Sequence, residues 1–97
     1  MKSNSYIYII TNKTNSVVYI GLTTNLIQRI FQHRNKRIEG FSSKYSLYKL
    51  VYYEIFDDLD NALSREKQLK RWHREWKNNL IETMNPDWKD LYDEIRS

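Results

Sequence analysis

The sequence predicts an α+β fold, an α/β sandwich in which a small, mainly antiparallel sheet of three strands is flanked by helices. Two short runs rich in β-branched and aromatic residues, 6–11 and 17–20, flank a polar cluster at 12–16, which is typical of a β-hairpin. A third run of the same kind at 50–56 predicts the third strand. Apolar residues at helical spacing predict helices at about 25–38, 60–71, 73–84 and 87–95, but the spacing alone does not show a break at Trp72-His73. Residues 39–49 lack clear periodicity, and Gly40, Ser42, Ser43 and Ser46 predict a loop there. We expect Trp88 and Leu91 in the last helix to pack on the body.

The hairpin determines which side chains meet on the sheet. Side chains alternate between the two faces of a strand, so Tyr8 and Ile10 share one face. If the turn is centred between Lys13 and Thr14, Tyr8 lies opposite Tyr19 and two phenols are side by side. Such an aromatic pair contributes a few tenths to about one kcal/mol. The pair is therefore either a packing contact or part of a functional site.

The first predicted helix has two polar residues at the border of its apolar stripe. Arg29 and His33 are four residues apart, so they are neighbours on the helix surface. At the border they either point into a cleft between helix and sheet or belong to a solvated face. The stripe itself consists of Leu26, Ile27, Ile30, Phe31 and Ile38.

Glu66 interrupts the apolar side of the helix predicted at 60–71. A carboxylate in such a stripe is costly unless it is paired or bound to a cation. Lys70, one turn later, could form an ion pair with it. The alternative is a metal ligand, because Mg²⁺ takes one or two carboxylates and keeps several waters. The apolar side consists of Leu59, Ala62, Leu63, Leu69 and Trp72.

Two stretches of the chain, 29–49 and 65–77, carry more cations than acids. Basic residues interleaved with aromatic ones suit contact with a nucleic-acid backbone and stacking on bases, although a solvated charged face has the same composition. The residues that we expect to contact nucleic acid are Arg34, Lys36, Arg37, Lys44, Tyr45, Lys70 and Arg74.

Composition limits the class of protein. A chain of 97 residues predicts a single domain, 1–97. The net charge of +4 and the sequence pI near 9.3 favour an anionic partner. The absence of cysteine excludes disulfides and thiolate metal sites. The sequence has neither an apolar run long enough to span a membrane nor the apolar segment of a signal peptide, so we expect a cytoplasmic protein without a membrane partner.

Five short motifs occur in an order and at spacings that resemble the GIY-YIG nuclease family. They are Tyr6-Ile7-Tyr8, Tyr19-Ile20-Gly21, Arg29, His33 and Ala62-Leu63-Ser64-Arg65-Glu66. The resemblance covers about 6–88 and is to small stand-alone bacterial members, similar to the N-terminal domain of the excision nuclease and to structure-specific endonuclease subunits. It also suggests that a separate helix begins near Trp72-His73. The chain departs from the pattern at Tyr6, where the family name has glycine, and at Leu22, where some members have lysine.

The resemblance implies a one-metal mechanism of phosphodiester hydrolysis. Glu66 would bind Mg²⁺ or Mn²⁺. Tyr8 would deprotonate or position the attacking water, and Tyr19 would hydrogen-bond that water or the phosphate. Arg29 would contact the scissile phosphate, and His33 would assist as a base or by holding Tyr8.

Two further expectations concern the chemistry of this site. Asn78 follows Glu66 by twelve residues, where some members place an active-site asparagine, and Asn79 beside it is the alternative. A tyrosine with a pKa near 10 is a poor base at neutral pH, so we expect Arg29 and the metal to lower the pKa of Tyr8.

Three functions remain open from the sequence. The first is a Mg²⁺-dependent DNA endonuclease of the GIY-YIG type that selects branched or damaged DNA by its structure rather than its sequence, as in DNA repair. The second is a nucleic-acid-binding module without catalysis. The third is an adaptor for a larger nuclease. The expected partner is DNA, with RNA as an alternative, and a protein partner could supply further DNA recognition.

Overall fold

A three-stranded antiparallel sheet with helices on both faces forms the body of the computed structural model, which describes residues 4–37 and 40–97. The strand order is β2-β1-β3. The α+β class predicted from the sequence is confirmed. In chain order the elements are β1 (Ser5–Thr11), β2 (Val18–Thr23), α1 (Leu26–Arg34), α2 (Phe41–Lys44), β3 (Lys49–Phe56), α3 (Leu59–Arg71), α4 (Arg74–Met84) and α5 (Tyr92–Arg96).

The central strand β1 is buried on both faces because its alternating side chains enter two separate cores. Ile7 and Ile9 pack with residues of α3 and α4, among them Leu69 and Ile81. On the other face the core is formed by β1, β3, α1 and the tail, and its main members are Tyr8, Ile10, Leu26, Ile30, Leu50, Leu91 and Tyr92. The sheet therefore separates α1 from α3, so the polar residues of the two helices approach the sheet from opposite faces.

The register of the hairpin differs from the predicted one. Tyr8 lies opposite Gly21, and Tyr19 lies opposite Ile10, so the two phenols are diagonal neighbours on one face. The side chain of Asn12 explains the shift, because its Oδ1 accepts hydrogen bonds from the backbone N–H groups of Ser16 and Val17 and holds the loop in another alignment. Strand β2 also continues through Gly21 to Thr23 instead of ending at residue 20.

Helix α1 is shorter than the predicted 25–38 and uses a different face. It ends at Arg34, where Asn35 caps it and Lys36 takes a left-handed conformation with φ of 54°. The predicted stripe residue Ile38 lies outside the described residues. Ile27 and Phe31 are 44% and 42% exposed, whereas His33 is only 5% exposed. His33, which the sequence placed at the border of the apolar stripe, is thus a core residue.

The other helices confirm the predicted order with changed ends. A break separates α3 from α4 at Trp72-His73, as the resemblance suggested, and the expected loop at 39–49 contains the short helix α2. On α3, Leu59 and Leu63 are exposed, so the predicted apolar side is narrower. None of the described helices combines the length and the apolar character needed to cross a lipid bilayer.

The tail is attached to β3 instead of forming a helix from residue 87. Trp88 has a positive φ of 55°, which ends the turn after α4, and α5 begins only at Tyr92. Asp90 Oδ1 accepts a hydrogen bond from the N–H of Leu50, and the N–H of Leu91 donates to the carbonyl of Leu50 at 2.7 Å. The predicted packing of Trp88 and Leu91 against the body is confirmed.

Candidate active site

The structure joins Tyr8 of β1 to His33 of α1 by a buried hydrogen bond. Tyr8 Oη lies 2.9 Å from His33 Nε2, and the ring centroids are 5.6 Å apart. Both side chains are almost fully buried, at 3% and 5% exposure. The helix border identified in the sequence therefore faces the sheet, and Arg29, one turn earlier, is half-buried on the same helix.

Gly21 creates the space that the Tyr8 ring occupies. A Cβ atom at residue 21 would lie 2.2 Å from Tyr8 Cζ and 2.3 Å from its oxygen, far inside van der Waals contact. Because Gly21 is the cross-strand partner of Tyr8, the phenol can lie flat across β2 and bring its hydroxyl toward the edge of the sheet. The glycine is thus required by close approach of a side chain and not by a turn.

His33 is a neutral imidazole at neutral pH. Burial and then the charge of Arg29 lower its pKa to about 4. Its second nitrogen, Nδ1, lies 2.9 Å from the hydroxyl of Ser42, a residue of α2 that is 6% exposed. The neutral ring has one donor and one acceptor nitrogen, and both tautomers can be satisfied here, because each of the two hydroxyls can donate or accept.

The pKa of Tyr8 moves in the direction opposite to the one that we expected. Burial raises it well above its usual range, and neighbouring Tyr19 adds to the increase. Arg29 acts in the expected sense but only partly offsets these effects. Tyr8 is therefore a protonated phenol in the protein by itself, and it is hydrogen-bonded to Nε2 of the neutral His33 ring.

Tyr19 and Arg29 complete this side of the site. The Tyr19 ring lies 6.1 Å from that of His33. Arg29 lies one turn before His33 on α1, and its charge influences the pKa of both Tyr8 and His33. In the described part of the chain no carboxylate forms an ion pair with Arg29, whereas Arg34 and Arg65 each have one. Arg29 is therefore available to an anion.

Glu66 comes from α3, and its side chain is 18% exposed. It lies on the face of α3 that carries the buried residues Ala62 and Leu69, and its charge contributes to the raised pKa of Tyr8. The ion pair predicted as one alternative is present, with Lys70 Nζ 3.2 Å from Glu66 Oε2. The ammonium group shows that this carboxylate accepts a cation at the edge of the site.

The chemistry of this single donor fits a divalent cation of the Mg²⁺ type. Residues 4–37 and 40–97 contain no group of three or more acidic or histidine side chains that could hold a metal ion. A cation at Glu66 would therefore take one carboxylate oxygen and complete its shell with water and substrate oxygens, which Mg²⁺ commonly does. Lys70 is half exposed and can move aside.

Three predicted residues have internal partners instead. Asn78 accepts a hydrogen bond from Arg74, which also donates to the carbonyls of the hairpin loop at Asn15 and Ser16. The structure gives Asn78 no hydrogen bond to the Tyr8–His33 pair, and Asn79 is exposed. Arg34 forms an ion pair with Asp90 and lies over the Tyr92 ring. These contacts brace the fold.

The remaining residues predicted to contact nucleic acid lie on the surface. Lys36, Arg37 and Lys44 are exposed, and Tyr45 is 41% exposed. Lys44 Nζ lies 5.5 Å from the centre of the Tyr45 ring. The contacts of these residues with nucleic acid stay a prediction.

Two neighbours of the site were missed in the sequence, and both belong to α2. Ser42 was assigned to a loop, and Phe41 was not considered. The helical spacing of Phe41 and Tyr45 is a possible signal for an exposed aromatic face, but a helix of four residues is too short to give a clear pattern. The role of Ser42 depends on His33, nine residues earlier, and has no local signal.

Comparison with known proteins identifies the family to which the chain is related. Residues 4–79 match the family model described as the GIY-YIG catalytic domain. A UPF0213 protein of Clostridium perfringens is 40% identical over 81 residues, covering 79% of this chain and 82% of that protein. A UPF0213 protein of Staphylococcus haemolyticus is 35% identical over 77 residues, covering 79% of this chain and 93% of that protein.

A solved structure shares the fold. The solution structure of a UPF0213 protein from Bacillus halodurans superposes with a TM-score of 0.58 at 25% identity, covering 91% of this chain and 93% of that chain. Together with the family match over 4–79, this shows that the chain belongs to the GIY-YIG domain family and is similar to its small stand-alone UPF0213 members.

Proposed function

We propose that this protein is a Mg²⁺-dependent endonuclease that hydrolyses phosphodiester bonds in DNA and selects branched or damaged DNA by structure. The observation that carries the proposal is the buried hydrogen bond between the Tyr8 phenol and the neutral imidazole of His33. Arg29 lies one turn before His33 on α1, and no carboxylate within 4–37 and 40–97 pairs with it. A phosphate that entered this site would meet a cation, a phenol and an acceptor for a proton within one cluster.

The first part of the mechanism is a proton transfer through Tyr8. Because the phenol keeps its own proton at neutral pH, it cannot act as a base alone. We assign the ring proton of His33 to Nδ1, which leaves Nε2 free to accept. The water's proton then passes to Tyr8 Oη while the phenolic proton passes to His33 Nε2, so that the water oxygen bonds to phosphorus and the P–O ester bond breaks. The leaving oxygen then takes a proton from solvent.

Arg29 has a double role in this scheme. Its planar guanidinium suits two hydrogen bonds to phosphate oxygens. A bound phosphate also neutralises its charge and so removes one of the two causes that hold the pKa of His33 low. Substrate binding thus makes His33 a better proton acceptor, and Tyr19, next to His33, can donate its phenolic O–H to the phosphate.

Glu66 supplies the acidic side of the site. A divalent cation held there, Mg²⁺ or Mn²⁺, provides positive charge for the phosphoryl oxygens and the leaving oxygen. The protein contributes the carboxylate of Glu66, whose side chain is 18% exposed, and Lys70, which would leave this carboxylate when the metal ion binds.

Selection by structure is supported by the size of the protein. Interfaces that read base sequence bury about 1,000–2,500 Å² of protein surface. That would take roughly a sixth to two fifths of the 6228 Å² available here. Two of the predicted phosphate contacts, Arg34 and Arg74, are already committed to internal partners. A short contact near an irregular DNA junction needs less surface.

The test is cleavage of labelled flap, fork and plain duplex DNA with Mg²⁺ and with EDTA. We expect metal-dependent cuts that favour the flap or the fork. Glu66→Gln should abolish cleavage and keep DNA binding, because the carboxylate serves the chemistry more than docking. Glu75→Gln, the same change at an exposed position of α4, is the matched control and should cleave like the wild type.

Two results would contradict the proposal. Unchanged cleavage by Glu66→Gln would show that Glu66 does not bind the catalytic metal ion. Absence of cleavage on every substrate, together with salt-sensitive binding, would indicate a binding module. If four phosphates are contacted, a plot of the logarithm of the affinity against the logarithm of the salt concentration should have a slope of about −3.6.

A further inference from the structure

Three aromatic rings form a continuous ladder from the candidate active site to the surface. The Tyr19 and Phe41 rings are 6.1 Å apart and nearly parallel, at 28°. The Phe41 and Tyr45 rings follow at 4.7 Å. Phe41 is 48% exposed and Tyr45 is 41% exposed, so the outer part of the ladder is accessible to solvent.

Helix α2 produces this exposure by using its two sides differently. Phe41 and Tyr45, four residues apart, point outward together, while Ser42 between them is buried against His33. Gly40 precedes the helix with φ of 113°, a conformation that L side chains rarely adopt, and it lets the chain turn into α2. The rings are therefore held by an element that is itself fixed to the site.

A groove of about 360 Å³ lies beside the ladder and is lined by both apolar and cationic residues. Tyr19 and Phe41 form one part of its wall, and Lys70 and Lys77 form another. Lys77 is half-buried, and burial followed by the charge of Arg74 lowers its pKa. Among the described residues no carboxylate pairs with Lys77, so an anion in the groove would relieve this cost.

The groove is continuous with the residues proposed for catalysis. Tyr19 is 6.1 Å from the His33 ring, and Lys70 is the ion-pair partner of Glu66. Lys44, over Tyr45, adds a further cation at the outer end. The surface thus combines flat rings with positive charge next to a site for a phosphate, which is the combination that binds single strands of nucleic acid.

We propose that Phe41 and Tyr45 form a subsite on which an unpaired nucleobase of the DNA strand stacks, while Lys70 and Lys77 hold the phosphate next to it. The chemistry favours a nucleobase over an apolar peptide side chain, because aromatic rings and lysine ammonium groups line the same groove. The subsite deepens the proposed function: the strand that is cut is unpaired beside the scissile phosphate.

The test measures stacking directly and does not depend on cleavage. Wild-type protein is mixed in EDTA with a flap oligonucleotide that carries 2-aminopurine in the unpaired strand, and fluorescence quenching and affinity are recorded. We expect quenching by the wild type. Phe41→Ala should lose it and bind about tenfold more weakly. Phe41→Trp, which restores an aromatic face, should keep both.

The matched control is Phe31→Ala. Phe31 is 42% exposed and also has a cation, Arg37, over its ring, but it has no ring contact with the ladder within the described part of the chain. We expect its quenching and affinity to equal those of the wild type. Thermal unfolding of each variant checks that the fold is kept.

Three outcomes would overturn the subsite: equal quenching by Phe41→Ala and wild type, equal losses in Phe41→Ala and Phe31→Ala, or equal affinity for the flap and a blunt duplex. The subsite and the nuclease can fail separately. If cleavage depends on the metal but Phe41→Ala does not affect quenching, only the proposal of the subsite is wrong. If quenching depends on Phe41 but no substrate is cleaved, only the proposal of nuclease activity is wrong.

Discussion

Two buried tyrosines on neighbouring strands, Tyr8 and Tyr52, show how similar side chains acquire different roles. Burial raises the pKa of both phenols well above the usual range. Tyr52 donates its hydroxyl to Glu54, and Arg65 of α3 binds the same carboxylate through two nitrogens at 3.0 Å. Tyr8 is instead hydrogen-bonded to the neutral ring of His33.

The difference lies in how each hydrogen-bonded network ends. Burial by itself would raise the pKa of Glu54, but the hydrogen bonds from Arg65 and Tyr52 outweigh it and lower that pKa. Every charge there has an internal partner, so the Tyr52 network is closed and ties α3 to the sheet. Next to the Tyr8 network, Arg29 has no carboxylate partner among the residues that the structure describes. A closed network stabilises the fold, whereas an open one can take a substrate.

The sharpest way to break this comparison is to remove the two hydroxyls separately. Tyr8→Phe should lower cleavage by about 100- to 10,000-fold, because it removes the proton path to His33. Tyr52→Phe should leave cleavage nearly unchanged, since Arg65 still binds Glu54. Each change should cost about 1 kcal/mol of unfolding free energy. Single-turnover cleavage and urea unfolding measure the two effects, and equal cleavage by both variants would show that the networks do not differ in function.

A second change tests the geometry of Tyr8 without altering its chemistry. Gly21→Ala places a methyl group 2.2 Å from the ring carbon Cζ, so the phenol must move away from His33. A displacement of about 1 Å can cost about 100-fold in rate, and the strain should cost about 1–3 kcal/mol of stability.

The double variant Gly21→Ala/Tyr8→Phe supplies the control. If Gly21 acts through the Tyr8 hydroxyl, the double variant should cleave no more slowly than Tyr8→Phe alone. Additive losses would instead indicate that Gly21 affects cleavage by another route, such as the position of Tyr19 on the same strand.

The smallest expected effect concerns stability at low pH. His33 has a folded-state pKa of about 4 against 6.5 in the unfolded chain. Between these values the unfolded state binds the proton and the folded state does not, so the stabilisation present above pH 6.5 is lost as the pH falls toward 4. The expected loss is about 2–3 kcal/mol. The groups that face His33 are Tyr8, Tyr19, Arg29 and Ser42.

Urea unfolding at a series of pH values measures this loss. His33→Gln should flatten the profile between pH 6.5 and 4. His73→Gln, a change of the other histidine, which is exposed, should keep the wild-type slope. A wild-type profile that is already flat would contradict the neutral, buried state of His33.

Features with a local cause could be predicted from the sequence. Alternation of β-branched and aromatic residues predicted all three strands, and the motifs around Tyr8 and Gly21 predicted the family. The register could not be predicted, because it depends on the side-chain hydrogen bonds of Asn12. The burial of His33 was missed because a histidine at a helix border enters a core only if other elements supply partners, here Tyr8 and Ser42.

The attachment of the tail has a consequence for the choice of boundaries in the chain. All of the proposed catalytic residues lie within 4–79, the part that matches the family model. Yet Leu91 and Tyr92 seal the core under Tyr8, and Asp90 links β3 to Arg34 on the helix that carries Arg29 and His33. The segment 4–79 therefore contains the reactive groups but not the whole core that surrounds them. A fragment cut at residue 79 would keep every motif, but it would expose the core beneath Tyr8.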